Sequence, residues 1–523
     1  EVYDSNWNLK QKASLNGAYI TYATEIGGKN ESQMAHFPLS ELAPGDFIYL
    51  QFSRTAIEAK GMIPYTDFVS SKDVPVGQSI FRVYADTNAF TTEEYGPLER
   101  ENIKGGREWK IESPVVMRKE LYMPVYRDFG AGLMLTGKQQ WKEVGEDYQN
   151  LIKHQFKQAV SVREKAFEVK GNKIGNEAVK AIANFVRHDI RYRDIRFGGH
   201  SLIPQTAEVT LKERRGDCKD MALLLKEMLA TIGVKSYLTA IHLTEEGFSQ
   251  LPTIQQFNHM ILYVPKQDRI SEMWIDATDK TGNDRPVPLD MEGKVALIID
   301  GENSRVTQTP ILEDNQEHKI AIDHRLFIGN DGTCEFRDSV TLEGKFASAI
   351  RNKFYGREVK EQEKLMEDFM AQGVPDVNIS KVEIKNLDEF NKPLVLVTTY
   401  GSKAYFGQGG EMKGRFPNVW ERSLFKMPKV AKRHHPIRMP HETQFQYSLT
   451  VKAADGKSVN VVGPKALARD TDYVSFEKGV NAGAQSSIKW TTFALYADPS
   501  EYNKIREEWD YLLSETSPMI TVK

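Results

Sequence analysis

At 523 residues the chain is too long for one hydrophobic core, and its length predicts about three domains. Its content of 40% hydrophobic and 27% charged residues excludes a disordered or fibrous protein. The 69 Lys and Arg residues nearly balance the 72 Asp and Glu residues, which gives no sign of binding to nucleic acid or a membrane surface, and no apolar run approaches the roughly 20 residues of a membrane-spanning helix.

Residues 1–150 carry the pattern of β-strands. The segments 46–52 and 79–84 are short, aromatic and β-branched, and turn residues separate them. Because no apolar repeat of helical period interrupts this region, we expect a mainly β, sandwich-like domain. The chain begins at Glu1 rather than at Met, so we also expect that an N-terminal signal has been removed and that this domain lacks its start.

Helical spacing begins near residue 146, at the start of the second predicted domain, residues 151–315. Apolar residues recur every third or fourth position over residues 148–169 and again over residues 175–190. This region therefore differs from the first one in predicted secondary structure.

Cys218 opens a further predicted helix that ends at Gly233, a residue suited to the left-handed turn after a helix. Asp217 is suited to cap this helix, and an apolar stripe at helical period predicts that the helix body is buried. We expect the thiol at the exposed N-terminal end, where the helix dipole stabilises a thiolate. Lys219 would add to this effect, whereas Asp217 and Asp220 would oppose it if they lie close. The alternative is a buried structural cysteine.

Three strands are predicted after this helix, at residues 236–242, 257–264 and 272–278. Suppose that the last two form a simple hairpin centred between Gln267 and Asp268. His259 then lies directly opposite Asp276 on one face of the sheet, with Cβ atoms roughly 4.5–5.5 Å apart. With Cys218 these residues would supply a nucleophile, a general base and a carboxylate that orients the base. The alternative is a half-buried histidine that makes one structural hydrogen bond.

These motifs together resemble the bacterial transglutaminase-like superfamily, a papain-like thiol fold with the chain order Cys, His, Asp. The segments that carry the resemblance are residues 185–192, Pro204, and residues 216–220, 257–259 and 274–278. The resemblance covers about residues 175–285 and implies that Cys218 is the nucleophile, His259 the base and Asp276 the orienting carboxylate. The flanks resemble the two domains of unknown function that bracket this core in secreted bacterial proteins.

An oxyanion-stabilising side chain like that of the family's cross-linking enzymes is not evident in the sequence. The backbone N–H of Cys218 could serve in that role, and Gln205 is a candidate for a second donor.

Strands return in the third predicted domain, residues 316–523. They are predicted at residues 320–328, 334–342, 394–399 and 443–452, with a helical insertion at 357–370 and a closing helix at 499–513. Cys334 falls in an alternating strand, which predicts packing rather than chemistry. The basic segment 426–438 is interpreted as a solvated loop, with contact to an acidic polymer as the alternative.

No cofactor or metal site is predicted. Residues 132–139 resemble a phosphate-binding loop, but Gln139 stands where that loop needs Ser or Thr to hold Mg²⁺. The adjacent His434 and His435 lack spaced carboxylate or thiolate partners for a metal.

The sequence therefore predicts a multidomain α+β protein, with a papain-like or transglutaminase-like core between two mainly β, sandwich-like domains. The predicted function is thiol-dependent acyl transfer, as a peptidase or amidase that forms a thioester on Cys218. A catalytically idle scaffold and a cross-linking transglutaminase are the alternatives. Hydrolysis is favoured because residues 191–200, just before the cysteine helix, are rich in charge and glycine and predict a polar cleft. We expect peptide substrates, cell-wall or extracellular peptides among them, and a periplasmic or cell-surface location.

Overall fold

The computed structural model describes residues 1–12, 18–22, 25–26, 29–30, 33–51, 66–69, 75–112, 116, 118–137, 139–193, 202–244, 247–280, 285–312, 318–403, 405–406, 412–425, 430–439, 441–454, 456–462, 469–477 and 481–523. In the N-terminal region the described elements are short strands: β1 Val2–Tyr3, β2 Leu9–Gln11, β3 Tyr19–Tyr22, β4 Glu25–Ile26, β5 Lys29–Asn30, β6 Gln33–His36, β7 Phe47–Ile48, β8 Thr66–Val69, β9 Gln78–Val83, β10 Phe90–Tyr95, β11 Glu99–Ile103, β12 Gly106–Glu112 and β13 Gly132–Gly137.

Two sheets of the N-terminal region pack face to face. Within the described residues one has the order β10-β13-β8 and the other β11-β12-β9. Their inward side chains share one apolar cluster, in which Trp109 from one sheet meets Phe90, Leu133 and Leu135 from the other. This is the sandwich-like packing that the strand pattern predicts. Residues 132–137, from the segment that resembles a phosphate-binding loop, form the buried strand β13.

The central region is a mixed layer of helices and one sheet. Its elements are α1 Trp141–Ile152, α2 Val160–Lys170, α3 Gly175–Asp189, β14 Arg191–Tyr192, α4 Ala207–Glu213, β15 Arg215–Gly216, α5 Cys218–Thr231, β16 Tyr237–Ile241, β17 His259–Val264, β18 Met273–Ile275, β19 Val295–Ile298 and β20 Arg305–Gln308. The sheet is antiparallel, in the order β18-β17-β16-β19-β20. Helix α5 packs on β17 and is surrounded by α2, α3 and α4, so its body is buried almost all round. Side chains of α1 also lie in this core. The bounds of the three predicted domains remain predictions.

The predicted helix at 148–169 is wrong as a continuous element. The chain leaves α1 at Ile152 and starts α2 at Val160, with Gln158 in the left-handed region at φ 45° between them. The reason is a tertiary contact, because the N–H of Lys157 donates to the buried Glu227 on α5 at 3.0 Å. Apolar spacing on both sides of this break is similar, so the periodicity alone does not reveal it.

The C-terminal region is built on a large sheet. Its elements are β21 Lys319–Ile328, β22 Cys334–Leu342, α6 Gly344–Phe354, α7 Val359–Met370, β23 Asn378–Lys385, β24 Leu394–Ser402, β25 Met412–Arg415, α8 Val419–Leu424, β26 Ile437–Met439, β27 Thr443–Ala453, β28 Val459–Val462, β29 Arg469–Asp470, β30 Val474–Glu477, β31 Asn481–Ala482, β32 Gln485–Thr492, β33 Leu495–Ala497, α9 Tyr502–Glu515 and β34 Met519–Val522. The described strands of the large sheet run β23-β24-β22-β21-β27-β32-β30-β29, and β31 also pairs with β32. The predicted strands, the helical insertion and the closing helix are present within a few residues, and α6 is an element that the sequence reading missed. Strand β34 lies between β25 and β28 in a smaller sheet.

The flanks are therefore β-rich and the centre is α+β, as predicted. No helix among the described residues has both the length and the apolar character needed to cross a bilayer.

Candidate active site

Helix α5 begins at Cys218, and its first turn is closed by two carboxylates. The side chain of Asp217 accepts from the N–H groups of Lys219 at 3.1 Å and Asp220 at 3.2 Å. In return, the Asp220 carboxylate accepts from the N–H of Asp217 at 3.1 Å. This reciprocal cap satisfies backbone donors that the start of a helix leaves open, and it fixes the orientation of Cys218.

Cys218 is buried rather than exposed, with 1% of its surface accessible. The expectation of an exposed thiol considered only the residues of the helix itself. In the structure, the chain at 202–206 returns to the helix start: Gln205 binds Asp220, and the hydroxyl of Tyr148 donates to the carbonyl of Leu202 at 2.9 Å. Residues 202–206 thus lie against the first turn of the helix that carries the thiol.

His259 lies at the start of β17 and joins two other side chains. Its Nε2 is 2.9 Å from Oδ2 of Asp276, and the same imidazole is close enough to Cys218 for the thiol to influence its pKa. Because Nε2 is occupied by the carboxylate, Nδ1 is the ring nitrogen that remains for the thiol. His259 and Asp276 are 2% and 5% exposed, so the contact is shielded from water.

The charges in this group reinforce one another. Burial alone would lower the pKa of His259, but the charge and hydrogen bond of Asp276, together with Cys218, raise it to about 10. Burial would raise the pKa of Asp276, but His259 and the hydrogen bonds of Thr278 lower it to about 2. The geometry therefore favours an imidazolium ion held against a carboxylate.

Two residues that the sequence reading did not single out hold Asp276. The backbone N–H and the hydroxyl of Thr278 both donate to Asp276 Oδ1 at 2.8 Å. The guanidinium of Arg187, buried on α3, donates through Nε to the backbone carbonyl of Asp276 at 2.9 Å. A Thr two residues after an Asp is a sequence signal for such a turn, whereas the Arg187 contact has no local signal.

The hairpin that brings His259 and Asp276 together differs in register from the prediction. Leu262 pairs with Ile275, and the turn bridges Gln267 to Ile270, one residue later than expected. Arg269 occupies the left-handed region at φ 54° in this turn, a conformation that the sequence does not announce. His259 is therefore not directly opposite Asp276. Moving the centre of the turn by one residue moves the partner of each strand residue by two positions. Because side chains alternate between faces with a period of two, His259 and Asp276 stay on the same face.

Lys219 and Gln205 have other partners than those expected. The Lys219 ammonium is buried and paired with Asp217, so its charge is compensated within the cap instead of being directed to the thiol alone. Burial and the nearby Asp220 raise the pKa of Asp217, and Lys219 opposes this. The side-chain amide of Gln205 donates to Asp220 Oδ2 at 3.1 Å, which occupies one of its two N–H groups. Its role at an oxyanion remains a prediction.

Part of the polar segment before the helix lies beside the site. Strand β14 pairs in parallel with β15, so Tyr192 is opposite Gly216, two residues before Cys218. The N–H of Arg193 donates to the carbonyl of Gly216 at 2.8 Å. Residues 194–200, on which the expectation of a polar cleft also rests, lie outside the described residues.

Cys334 differs from Cys218 in its surroundings. It begins β22, is 4% exposed and lies in the large apolar cluster of the C-terminal region, as the alternating pattern predicts. Its thiol contacts the carbonyl of Gly332 at 3.6 Å, and burial raises the pKa of this thiol to about 12.

A second buried histidine, His324 on β21, was not identified from the sequence. Its Nδ1 is 2.7 Å from Asp338 and its Nε2 is 2.9 Å from Glu421, while the hydroxyl of Tyr400 donates to Asp338 at 3.0 Å. Burial would lower the pKa of His324, but the two carboxylates raise it to about 10. His324 and Asp338 occupy inward positions of two strands whose buried and exposed residues alternate. A His and an Asp at such otherwise apolar positions are the sequence signal that could have indicated this cluster.

The basic segment is only partly a solvated loop in its described part: Lys432 and His434 are exposed, whereas Arg433 and His435 are buried. Arg433 is 3% exposed and donates to the backbone carbonyls of Leu121, His435 and Pro436. The N–H of His435 donates to Glu120 at 3.0 Å. The segment thus connects the chain near residue 120 to the C-terminal region by hydrogen bonds. Residues 426–429 lie outside the described residues.

Within the part of the chain that the structure describes, no group of three or more His, Cys, Asp or Glu side chains is arranged to hold a metal.

Residues 163–247 match the model of a family described as the transglutaminase-like superfamily. The matched span includes Cys218 and ends before His259 and Asp276. Residues 163–247 are therefore similar to a transglutaminase-like domain, which agrees with the resemblance of the sequence motifs.

Solved structures extend the likeness to the flanks. A crystal structure of a "putative protease" from Parabacteroides distasonis aligns over 100% of this chain and 88% of that chain, with 12% identity and a TM-score of 0.63. This similarity shows a shared fold that includes the β-rich regions. A "putative cysteine protease" from Cytophaga hutchinsonii aligns over 47% of this chain and 83% of that chain, with 15% identity and a TM-score of 0.21, which does not indicate a shared overall fold. A search of curated proteins gave no match.

Proposed function

We propose that this protein is a thiol-dependent acyl-transfer enzyme, a peptidase or amidase that forms a thioester on Cys218. The observation that carries the proposal is the position of His259, whose Nε2 contacts a buried carboxylate and whose ring is close enough to Cys218 for the thiol to influence its pKa. In this proposal Cys218 is the nucleophile, His259 the general base and Asp276 the residue that orients the base.

The reaction follows from the proton on His259. Transfer of the thiol proton to the neutral imidazole gives the imidazolium that Asp276 stabilises, and the thiolate left behind attacks the carbonyl carbon of the substrate, forming the C–S bond. The imidazolium then protonates the leaving amine as the C–N bond breaks, which leaves an acyl-thioester. In the second half, His259 takes a proton from water, the hydroxide attacks the thioester, and the thiolate is released. Asp276 stabilises the imidazolium in both halves, which agrees with the raised pKa of His259.

Water, rather than an amine, is the proposed acceptor. The chain that pairs with residues 215–216 carries Arg191 and Arg193, so polar side chains lie on at least one side of the helix start. A neutral lysine substrate would need a dry approach, which such side chains do not favour. We extend the proposal to peptides outside the cytoplasm as the substrate class.

Burial of Cys218 imposes a condition on this function. With 1% of the residue accessible, a substrate carbonyl reaches the sulfur only after the covering chain moves. Segments that open locally to admit a ligand are common in enzymes, and the opening would precede acylation.

The test is mass spectrometry after exposure of the folded protein to a peptidyl vinyl sulfone, a thiol electrophile that reports on activated cysteines. We expect adduct on Cys218, little on Cys334, and loss of the Cys218 adduct in His259→Ala. The matched control is His318→Ala, which replaces a buried histidine away from the thiol. Adduct formation that is unchanged in His259→Ala would contradict the proposal and favour an idle scaffold.

A second assay decides between the two acceptors. Glutamine-containing peptides are incubated with a labelled primary amine, and hydrolysis and amine incorporation are both measured. We expect hydrolysis to predominate and to be lost in Cys218→Ala. Predominant amine incorporation would instead identify a cross-linking enzyme. The proposed location outside the cytoplasm is tested by cell fractionation, and full-length protein with an intact N-terminus in the cytoplasm would contradict it.

A further inference from the structure

A cavity of about 730 Å³ is lined by residues of both the central region and the C-terminal region. One wall is formed by residues from 274–279 and 285–291, Asp276 among them, and the other is helix α6 with the loop at 390–393. Cavities of roughly 300–1,000 Å³ are the size that holds small organic ligands. Neither Cys218 nor His259 lines this cavity, so it is a different space from the one in which a substrate would meet the thiol.

Arg351 on α6 is a buried cation on the wall of this cavity. It is 2% exposed, and its guanidinium donates to the backbone carbonyls of residues 386, 389, 390 and 392 at 2.5–3.3 Å. No carboxylate of the described residues pairs with it, and its Nε is buried without a hydrogen-bond partner. A buried guanidinium that is surrounded by neutral oxygens retains an uncompensated positive charge.

Lys345 adds a second cation at the beginning of the same helix. It lines the cavity, is partly buried and makes no ion pair with a carboxylate that the structure describes. Burial lowers the pKa of Lys345, and the nearby Asp290 only partly opposes this. The N-cap residue Glu343 does not cap helix α6 with its side chain, although the N–H of Lys345 donates to Nδ1 of His318 at 3.3 Å, and the positive end of the helix dipole lies at the same space.

The carboxylates on the lining are mostly on the opposite wall. Asp276, Asp279 and Asp290 come from the chain after β18, and Glu343 is the residue that precedes α6. Asp276 is already engaged by His259 and Thr278, and Asp290 is exposed to solvent. The unbalanced positive charge is therefore concentrated along α6, where Phe390 and Asn391 from the adjoining loop complete the wall.

We propose that this cavity binds a small organic anion, a carboxylate or a phosphate, with its negative group against Lys345 and Arg351. An oxyanion there would accept from the Lys345 ammonium and from backbone N–H groups of the first turn of α6 other than that of Lys345, with the buried guanidinium of Arg351 adding positive charge behind them. Its other end would lie beside Arg187, which also lines the cavity and holds the carbonyl of Asp276. The site thus shares Asp276 with the candidate active site, although neither Cys218 nor His259 lines it.

Isothermal titration of the full chain tests this with three probes. Inorganic phosphate reports on a phosphate site, acetyl-dialanine on a carboxylate site, and acetyl-dialanine amide is the neutral control. We expect saturable binding of phosphate or of acetyl-dialanine, with the stronger of the two naming the natural group, and none of the amide. Binding of neither anion, or equal binding of the amide, would overturn the proposal.

The matched variants are Lys345→Gln and Lys353→Gln. Both remove one positive charge from α6, but Lys353 is exposed and does not line the cavity. We expect Lys345→Gln to weaken binding of the probe by about tenfold or more, as for a charge-assisted hydrogen bond, and Lys353→Gln to leave it within about twofold. Equal affinities of the two variants would overturn the site. Because binding is measured without any reaction, failure here leaves the proposed acyl transfer untouched, and an inactive Cys218 leaves this site untouched.

Discussion

His259 and His324 are two buried histidines with similar surroundings and different second partners. Both lie on strands, both are at most 2% exposed, and both contact a carboxylate at 2.7–2.9 Å. At His259 the other side of the imidazole meets the Cys218 thiol, whereas at His324 it meets a second carboxylate, Glu421. The first arrangement can pass a proton to a reacting atom, and the second has both nitrogens occupied.

The difference shows that a buried histidine–carboxylate pair is not by itself evidence of catalysis. What distinguishes the two sites is whether one ring nitrogen has a nucleophile as its partner. At His324 the charge instead balances two carboxylates inside an apolar region. Oε2 of Glu421 and the hydroxyl of Tyr447 have no hydrogen-bond partner among the described residues, which marks the cluster as incompletely satisfied.

The largest expected effect concerns stability. His324→Leu removes both hydrogen bonds and leaves Asp338 and Glu421 buried together, so we expect the free energy of unfolding to fall by about 3–5 kcal/mol. His259→Leu leaves one carboxylate that keeps its hydrogen bonds to Thr278, so its cost should be smaller. Urea unfolding curves of the two variants measure both changes. Equal losses would show that the second carboxylate adds nothing to the role of His324.

The next effect concerns rate. His259→Gln removes the proposed base, so we expect hydrolysis of an activated ester, attacked by Cys218, to fall by about 100-fold or more. His324→Gln should leave the rate of the folded protein within about twofold, because this residue does not touch the thiol. Stopped-time assays at a temperature where both variants are folded provide the measurement. A comparable fall in both variants would remove the distinction between the sites.

A pH titration of stability sharpens the comparison further. The folded-state pKa of each histidine is raised from 6.5 to about 10, so the stability contributed by each charge is fully present below about pH 6.5 and is lost as pH rises towards 10. We expect the free energy of unfolding of the wild type to fall as pH rises over this window. It should fall less in His324→Gln, because only His259 then loses its proton. The opposite sign holds for Asp276, whose pKa is lowered to about 2. The stability that its charge contributes is present above about pH 4 and is lost on acidification towards pH 2. Urea midpoints at pH 6, 8 and 10 supply the test, and a flat profile would contradict it.

The smallest effect compares the two thiols. We expect iodoacetamide to modify Cys218 about tenfold faster than Cys334 in the folded protein at neutral pH, because His259 can take the Cys218 proton and burial raises the pKa of Cys334 to about 12. Peptide mass spectrometry over a time course gives both rates. Similar rates for the two cysteines would argue that both are packing residues.

Local signals were sufficient for the elements that carry the site. The start of α5 at Cys218, the extent of α3 and the strand that begins at Cys334 follow from caps, apolar periodicity and strand alternation. The shared face of His259 and Asp276 also follows from alternation, because an error of two residues does not change the face. The assignment of these residues as catalytic remains a prediction.

The predictions that were wrong or missing concern contacts between segments that are distant in sequence. The hairpin turn contains a left-handed Arg269, and Gln205 contacts Asp220 at the start of the cysteine helix from 15 residues earlier in the chain. The cluster at His324 needs Glu421, which is 97 residues away on α8. No periodicity within a strand reports a partner at that separation, although the His324 position on an inward face does report that a partner is needed.

The position of β34 has a consequence for synthesis of the chain on the ribosome. Strand β34 is the middle strand of its sheet, with β25 on one side and β28 on the other, and Ile520 and Val522 are fully buried. Residues 412–415 and 459–462 therefore emerge long before the strand that joins them. Until residues 519–522 have left the exit tunnel, both outer strands present unpaired edges, which are the surfaces that nascent-chain chaperones protect from aggregation.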